Sequence, residues 1–188
     1  MKKACIFMIS GPSAVGKTSV VNAVLEMDNT LCRIVTCTTR ERRDSERDGI
    51  DYYFLSKEKF SEEISVGNLI EFSEVYENYY GVMFSTIEEK IKGCQDAILV
   101  INWEGFLKIK QAIQGNVFGI FILPPSIRDL EIRIRSRGED SPEVIAQRIG
   151  MAREDMDKAK YYDFCFENID IATTAREIMK KINEIRFK

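Results

Sequence analysis

The chain has 188 residues, 45% of them hydrophobic and 30% charged, with a formal net charge of −3. That suits one domain with a sizeable core and excludes a uniformly basic nucleic-acid or membrane surface. With no histidine, mechanisms that need an imidazole base and most zinc sites are excluded as well.

Cys5, Cys32, Cys37, Cys94 and Cys165 are scattered and form no Cys-x-x-Cys pair, so they read as small apolar residues in a reducing compartment. Lys2-Lys3 is followed by only a short apolar run, so neither a secretory signal nor a membrane span is expected.

In chain order, the apolar run at 4–9 predicts a strand buried on both faces. It leads into Gly11-Pro12-Ser13-Ala14-Val15-Gly16-Lys17-Thr18, and a helical pattern follows over 17–27. Strand, glycine-rich loop and helix in that order turn G-x-x-x-x-G-K-[ST] into a phosphate-binding loop. The glycines let backbone N–H groups turn inward on an anion, and the helix beginning at Gly16 adds its own unbonded N–H groups. Lys17 would reach the β and γ phosphates, and the Thr18 hydroxyl would ligate Mg²⁺.

Residues 31–82 carry short alternating stretches, aromatics and many charges, which fit a small antiparallel insert with one helix near 57–66. Beyond it, strands are predicted at 97–101, 117–123 and 163–167, and helices at 103–114, 127–137 and 173–186. Another helix should begin at Ser141, with Pro142 in its first position. The alternation predicts an α/β fold of three layers around a central parallel sheet.

Positive charge is concentrated in Arg40, Arg42, Arg43 and Arg47, and again in Arg128, Arg133, Arg135 and Arg137. On the residues alone, Arg40 and Arg43 read either as a phosphate grip or as a solvated loop face. Glu71, between Ile70 and Phe72, reads either as a surface residue or as a carboxylate aimed away from its apolar neighbours.

Several segments follow the phosphate loop in order. They are Thr38-Thr39-Arg40-Glu41-Arg42-Arg43, Gly49-Ile50-Asp51-Tyr52-Tyr53-Phe54, Ile70-Glu71-Phe72, Asn78-Tyr79-Tyr80-Gly81, Ile101-Asn102-Trp103-Glu104-Gly105 and Phe121-Ile122-Leu123-Pro124-Pro125-Ser126. In these segments the chain resembles a guanylate kinase over nearly its whole length. The resemblance implies ATP + GMP → ADP + GDP with Mg²⁺, in the cytoplasm, with no nucleic-acid or membrane partner; dGMP use and oligomeric state are left open. It also implies a P-loop kinase fold in a single domain over 1–188. The core would be 1–31, 95–125 and 160–188, a small mixed or antiparallel GMP-binding region 32–94, and a mobile lid 126–159.

The resemblance further implies residue roles. ATP would be held by Gly11, Ser13, Ala14, Val15, Gly16, Lys17, Thr18 and Ser19, with Arg133 and Arg137 from the lid and Asn168 near the adenine. Lys17, Arg43, Arg137 and Arg148 would be catalytic. GMP would be held by Thr36, Arg40, Arg43, Tyr52, Glu71, Tyr80, Gly81 and Asn102. Arg40 and Arg43, with the Tyr52 and Tyr80 hydroxyls, would take the phosphate. Glu71 would accept from N1–H and the 2-amino group of guanine, a donor pair that adenine lacks. Tyr53 and Tyr79 read as packing neighbours and Arg135 as a solvated one.

The chain departs from the family pattern at three positions. Val100 and Asn102 stand where the family usually has aspartates, and Val82 where relatives usually offer a hydroxyl. Glu104 is the candidate for replacing the missing charge. The departures keep a second reading open, a catalytically weakened guanylate kinase-like interaction protein, and a third, a P-loop kinase for another small acceptor.

Overall fold

The computed structural model of the chain describes residues 4–75, 77–93, 96–113, 115–136 and 141–187. The first half runs β1 (Cys5–Ser10), α1 (Lys17–Met27), β2 (Leu31–Ile34), β3 (Cys37–Thr38), β4 (Tyr53–Phe54), α2 (Lys57–Ser65), β5 (Leu69–Val75), β6 (Asn78–Met83) and α3 (Phe84–Gly93). The second half runs β7 (Asp96–Val100), α4 (Trp103–Ala112), β8 (Asn116–Leu123), α5 (Ile127–Ser136), α6 (Pro142–Asp157), a 3-10 turn (Lys158–Tyr161), β9 (Phe164–Glu167) and α7 (Ile171–Arg186).

Five strands form one sheet in the order β2-β7-β1-β8-β9, and four form a smaller sheet in the order β4-β3-β6-β5. Pairing is parallel between β2 and β7 and between β8 and β9. The small sheet is mixed: β3 is parallel to β4 and antiparallel to β6, which is antiparallel to β5. This is the expected α/β architecture with a central parallel sheet and a small mixed sheet. By internal contacts the chain divides into two compact units, Met1–Ile6 with Thr30–Val117, and Phe7–Asn29 with Phe118–Lys188.

Local sequence explains most element boundaries. All six residues of β1 are buried, as its uninterrupted apolar run requires. Side chains of Ser56, Asn102, Ser141 and Asp170 cap α2, α4, α6 and α7, each accepting a backbone N–H from inside its helix. Because Asp170 caps it, α7 begins at Ile171 and not near 173. The antiparallel insert expected over 31–82 is corrected at its start. Leu31 and Ile34 are buried at the two ends of β2, which joins β7 in the large sheet. No helix was expected at α3; the structure forms one there with Ile87 buried and Phe84 exposed.

In the second unit α7 packs along α1. Thr174, Ile178, Ile182 and Arg186 recur every four residues on its buried face, and α1 buries Val20, Val21 and Val24. Arg186 Nη1 donates to Asp28 Oδ2 just past the end of α1. Both side chains are mostly shielded, at 8% and 17% exposure, so the pair is little screened by water and neutralising one charge should be felt. Asp28→Asn is expected to cost about 1–2 kcal/mol, measured by urea denaturation. An unchanged midpoint would contradict that.

Candidate active site

The phosphate loop lies within the second unit. Gly11 (φ 147°) and Gly16 (φ 100°) take the left-handed backbone that glycine permits. A Cβ on Gly11 would collide with the Ile122 carbonyl of β8, and one on Gly16 would lie 2.6 Å from Asn168 Nδ2. The two glycines thus fix how closely the loop is seated. Gly16 is the N-cap of α1 and brings no capping side chain; the first turn contains no acidic residue. Its N–H groups and dipole end are therefore suited to an anion.

Lys17 Nζ donates to the Gly11 carbonyl at 2.7 Å and the Pro12 carbonyl at 2.8 Å. Lys17 is half-buried and folded back over the loop. Thr18 and Ser19 are exposed in the first turn, Ser13 is half-buried, and Ala14 and Val15 are buried.

Asn168 and Arg133 have internal partners. Asn168 Nδ2 donates to the Val15 carbonyl at 2.7 Å, and Asn168 Oδ1 accepts from Thr174 Oγ1 at 3.1 Å. Arg133 donates to the same Val15 carbonyl at 3.1 Å and to the Asn168 carbonyl at 2.8 Å. Both side chains therefore brace the loop from 118 and 153 residues away. Beside them is a cleft of about 390 Å³ lined by Ala14, Gly16, Arg133, Asn168, Ile169, Asp170 and Ile171. Ile169 and Ile171 are exposed there, an apolar surface fit for a flat base. Arg148 is half-buried on α6 and Arg135 pairs with Glu131 at the surface. Arg137 lies outside the described residues.

The second cluster lies within the first unit. Arg40 Nη2 donates to both oxygens of Glu46, at 2.7 and 3.0 Å, and Arg40 Nη1 donates to the Glu41 carbonyl at 2.6 Å. Glu46 also accepts the Arg43 backbone N–H at 2.9 Å. The Arg40 guanidinium lies over the rings of Tyr52 and Phe54 at 5.7 and 5.9 Å, and Tyr80 meets Tyr52 edge to face.

Burial raises the Glu46 pKa, but the Arg40 hydrogen bond and charge outweigh it and hold the carboxyl low. Burial likewise pulls Arg40 down, and Glu46 more than restores it. Glu46 is thus the anchor of the arginine loop. Sequence reasoning missed it because one glutamate in a run of charges has no local signature. Arg33 was missed too; it is 3.9 Å from Asp51, and burial lowers its pKa while Tyr52, Asp51 and Glu46 raise it.

Glu71 is 3% exposed. Its Oε1 has no hydrogen-bond partner among the described residues. Burial pushes its pKa up to about 7; Lys108 opposes the shift and Glu104 adds to it. The strand register slips between Leu69 and Glu71, the kind of bulge that re-aims a side chain beside a site. Val82, opposite Glu71, is buried and offers nothing to a ligand. A Cβ on Gly81 would lie 3.0 Å from Phe60 and 3.1 Å from the Glu71 carbonyl, so this glycine permits close packing. The Thr36 carbonyl accepts from Tyr53 N–H at 2.8 Å, and Tyr79 stacks on Phe60. Asn102 caps α4: its Oδ1 accepts from Gly105 N–H at 2.9 Å and its Nδ2 donates to Ser73 Oγ at 2.6 Å. Glu104 is exposed in the first turn of α4.

The chain thus carries an α/β fold, a glycine-rich phosphate loop in one unit and an arginine–carboxylate cluster in the other. The family model described as "Guanylate kinase" matches residues 3–185. A guanylate kinase of Clostridioides difficile (strain 630) is 38% identical, covering 95% of this chain and 86% of that protein. One of Rickettsia felis is 39% identical, covering 97% and 93%. A crystal structure of guanylate kinase from Anaplasma phagocytophilum superposes with a TM-score of 0.82 at 30% identity, covering 100% of this chain and 88% of that one. The chain belongs to the guanylate kinase family and is an enzyme.

Proposed function

We propose that the chain transfers the γ-phosphoryl of ATP to GMP, giving ADP and GDP, with Glu71 as the reader of the acceptor base. The observation that carries this reading is the buried carboxylate of Glu71, whose Oε1 is partnerless among the described residues. An ionised carboxylate only accepts hydrogen bonds. Its complement is a base edge with adjacent N–H donors, which guanine has and adenine lacks.

Arg40 and Arg43 hold the acceptor phosphate, and the Tyr52 and Tyr80 hydroxyls add donors. Arg40 is already placed by Glu46 and the two rings, so little conformational freedom is lost on binding. The acceptor phosphate is ionised at neutral pH, so no general base is needed and the lack of histidine does not hinder transfer. On the donor side the loop N–H groups and Lys17 bind the β and γ phosphates, and apolar Ile169 and Ile171 flank the base. The same reading gives Arg137 and Arg148 the role of covering the transferred group, and places the enzyme in the cytoplasm, where its substrates are.

Mg²⁺ fits the residues present. This ion keeps several waters and takes most other ligands from phosphates, so one protein hydroxyl suffices. The exposed Thr18 hydroxyl in the first turn of α1 would be that ligand. Bound Mg²⁺ would neutralise charge on the donor phosphates.

Val100, at the end of β7, stands where the family usually has an aspartate and carries no side-chain oxygen. Val100→Asp is therefore expected to lower the Mg²⁺ concentration for half-maximal rate by roughly fivefold. A Mg²⁺ titration at saturating ATP and GMP measures it, and an unchanged half-saturation would show the position to be dispensable.

The activity is tested by steady-state assays with ATP and each of GMP, AMP, CMP and UMP, with products separated by chromatography. GDP formation with GMP alone is expected. Comparable rates with AMP would overturn the base assignment, and no turnover with any acceptor would overturn the reaction.

A further inference from the structure

We propose that Ser73 and Asn102 are positioning residues for base recognition, a clamp that fixes the first turn of α4 against β5 and so presents the Glu71 carboxylate. The inference rests on the reading of Glu71 as the base reader. It changes the part played by Asn102, which otherwise counts as a residue that touches GMP.

The geometry points this way at each step. Glu71 and Ser73 are two residues apart on β5, so their side chains leave the same face. The 2.6 Å bond from Asn102 Nδ2 to Ser73 Oγ shows that this face meets the start of α4. The other end of the Asn102 amide is engaged as well, since Oδ1 accepts Gly105 N–H at 2.9 Å. With Oδ1 and one amide proton engaged, Asn102 keeps one proton for any ligand.

Gly105 is held where a Cβ would lie 2.8 Å from Glu71 Oε2 and 2.5 Å from Ile101 Cγ1 and Cδ1. The carboxylate therefore rests directly on the turn that Asn102 caps. Farther along α4, Lys108 Nζ donates to the Phe72 carbonyl at 3.3 Å and lies over the Phe72 ring. The helix is thus tied to β5 at both residues that follow Glu71. Lys108 and Glu104, the charged groups of α4 that act on Glu71, move with the same helix.

An aspartate at 102 could still cap Gly105 and accept from the Ser73 hydroxyl, but it would add a negative charge to the region. Here an amide and a hydroxyl fix the contact without adding charge near a carboxylate whose ionisation burial already opposes.

The test compares Ser73→Ala, Ser73→Thr and Asn102→Ala with wild type, with Glu71→Gln as a control. Two quantities are read: the split between KM for GMP and kcat, and the titration of the Glu71 carboxyl followed by ¹³C NMR. Ser73→Ala is expected to raise KM for GMP by roughly fivefold or more, with kcat and KM for ATP within about twofold. The Glu71 titration midpoint should move in Ser73→Ala and in Asn102→Ala, and Ser73→Thr should restore most of the wild-type behaviour. Wild-type KM and wild-type titration in both Ser73→Ala and Asn102→Ala would overturn the clamp, even if the melting temperature falls. An unchanged KM for GMP in Glu71→Gln would instead overturn the base-reader assignment and the clamp's purpose with it. The NMR titration needs no turnover, so these two failures are told apart.

Discussion

Lys17→Ala is expected to lower kcat by about a hundredfold or more while the protein stays folded. In phosphoryl transfer the protein supplies position and charge, so losing one preorganised cation should cost about 3 kcal/mol of transition-state stabilisation or more. The structural loss is smaller. Lys17 is half-buried, and what it gives up in the fold includes its hydrogen bonds to the Gly11 and Pro12 carbonyls. The seating of the loop rests on other contacts, with Asn168 and Arg133 holding the Val15 carbonyl from behind. Circular dichroism should match wild type, and KM for GMP should stay within about threefold, since the lysine belongs to the donor half. A folded variant with turnover within threefold of wild type would contradict the role given to Lys17.

Glu71→Gln is expected to raise KM for GMP by about a hundredfold and to narrow the preference over AMP. An amide presents an N–H to a guanine N–H, which loses one hydrogen bond and opposes two donors in a buried place. The same substitution should make the unliganded protein more stable at alkaline pH. The Glu71 pKa is raised by burial to about 7, above its ordinary 4.5. Between those values the folded state holds a proton that the unfolded state has released. Stability therefore falls as pH rises from about 4.5 to about 7, and the loss persists above that. Glutamine removes this dependence, so the melting temperature of Glu71→Gln should exceed that of wild type at pH 8 by a few degrees and approach it at pH 5. GMP use by wild type should weaken as pH falls below about 7, because the base requires the ionised carboxylate. Differential scanning calorimetry at the two pH values and a pH profile of kcat/KM for GMP check both expectations. Equal melting temperatures at pH 8 would contradict the first, and a flat profile between pH 6 and 8 the second.

The parts of this molecule legible in the sequence are those whose chemistry is local. The phosphate loop announces itself because Gly11, Gly16, Lys17 and Thr18 fall at fixed spacing within one short stretch and the positive φ of the loop demands the glycines. Helix starts at Ser56 and Ser141 could be read in the same way, from a capping residue and the pattern after it. What stayed hidden depends on partners distant in sequence. Nothing near Asn168 or Arg133 says that both hold the Val15 carbonyl. Glu46 looks like one charge among many until Arg40 is seen on its oxygens.

Asn102 lies between these cases. Set against the family pattern it reads as an aspartate with its charge removed. An asparagine just before Trp103-Glu104-Gly105 is also an N-cap signal, and that signal could have been taken from the sequence. Its bond to Ser73 could not. The helix α3 lacked a clear start signal, and β2 was grouped with the insert because only its pairing with β7 shows which sheet it joins.

Proton release on GMP binding tests the central claim most directly. Calorimetric titrations at pH 6, in buffers of different ionisation enthalpy, count the protons released. With the Glu71 pKa raised by burial to about 7, most sites carry a proton on that carboxyl at pH 6 before binding, and guanine recognition must expel it. The GMP phosphate titrates nearby and contributes equally in both proteins, so the informative quantity is the difference between wild type and Glu71→Gln. A clearly greater release in wild type, by up to one proton, is the expected result. Equal release from the two proteins, with GMP bound equally well by both, would contradict the assignment of Glu71 as the group that reads the base.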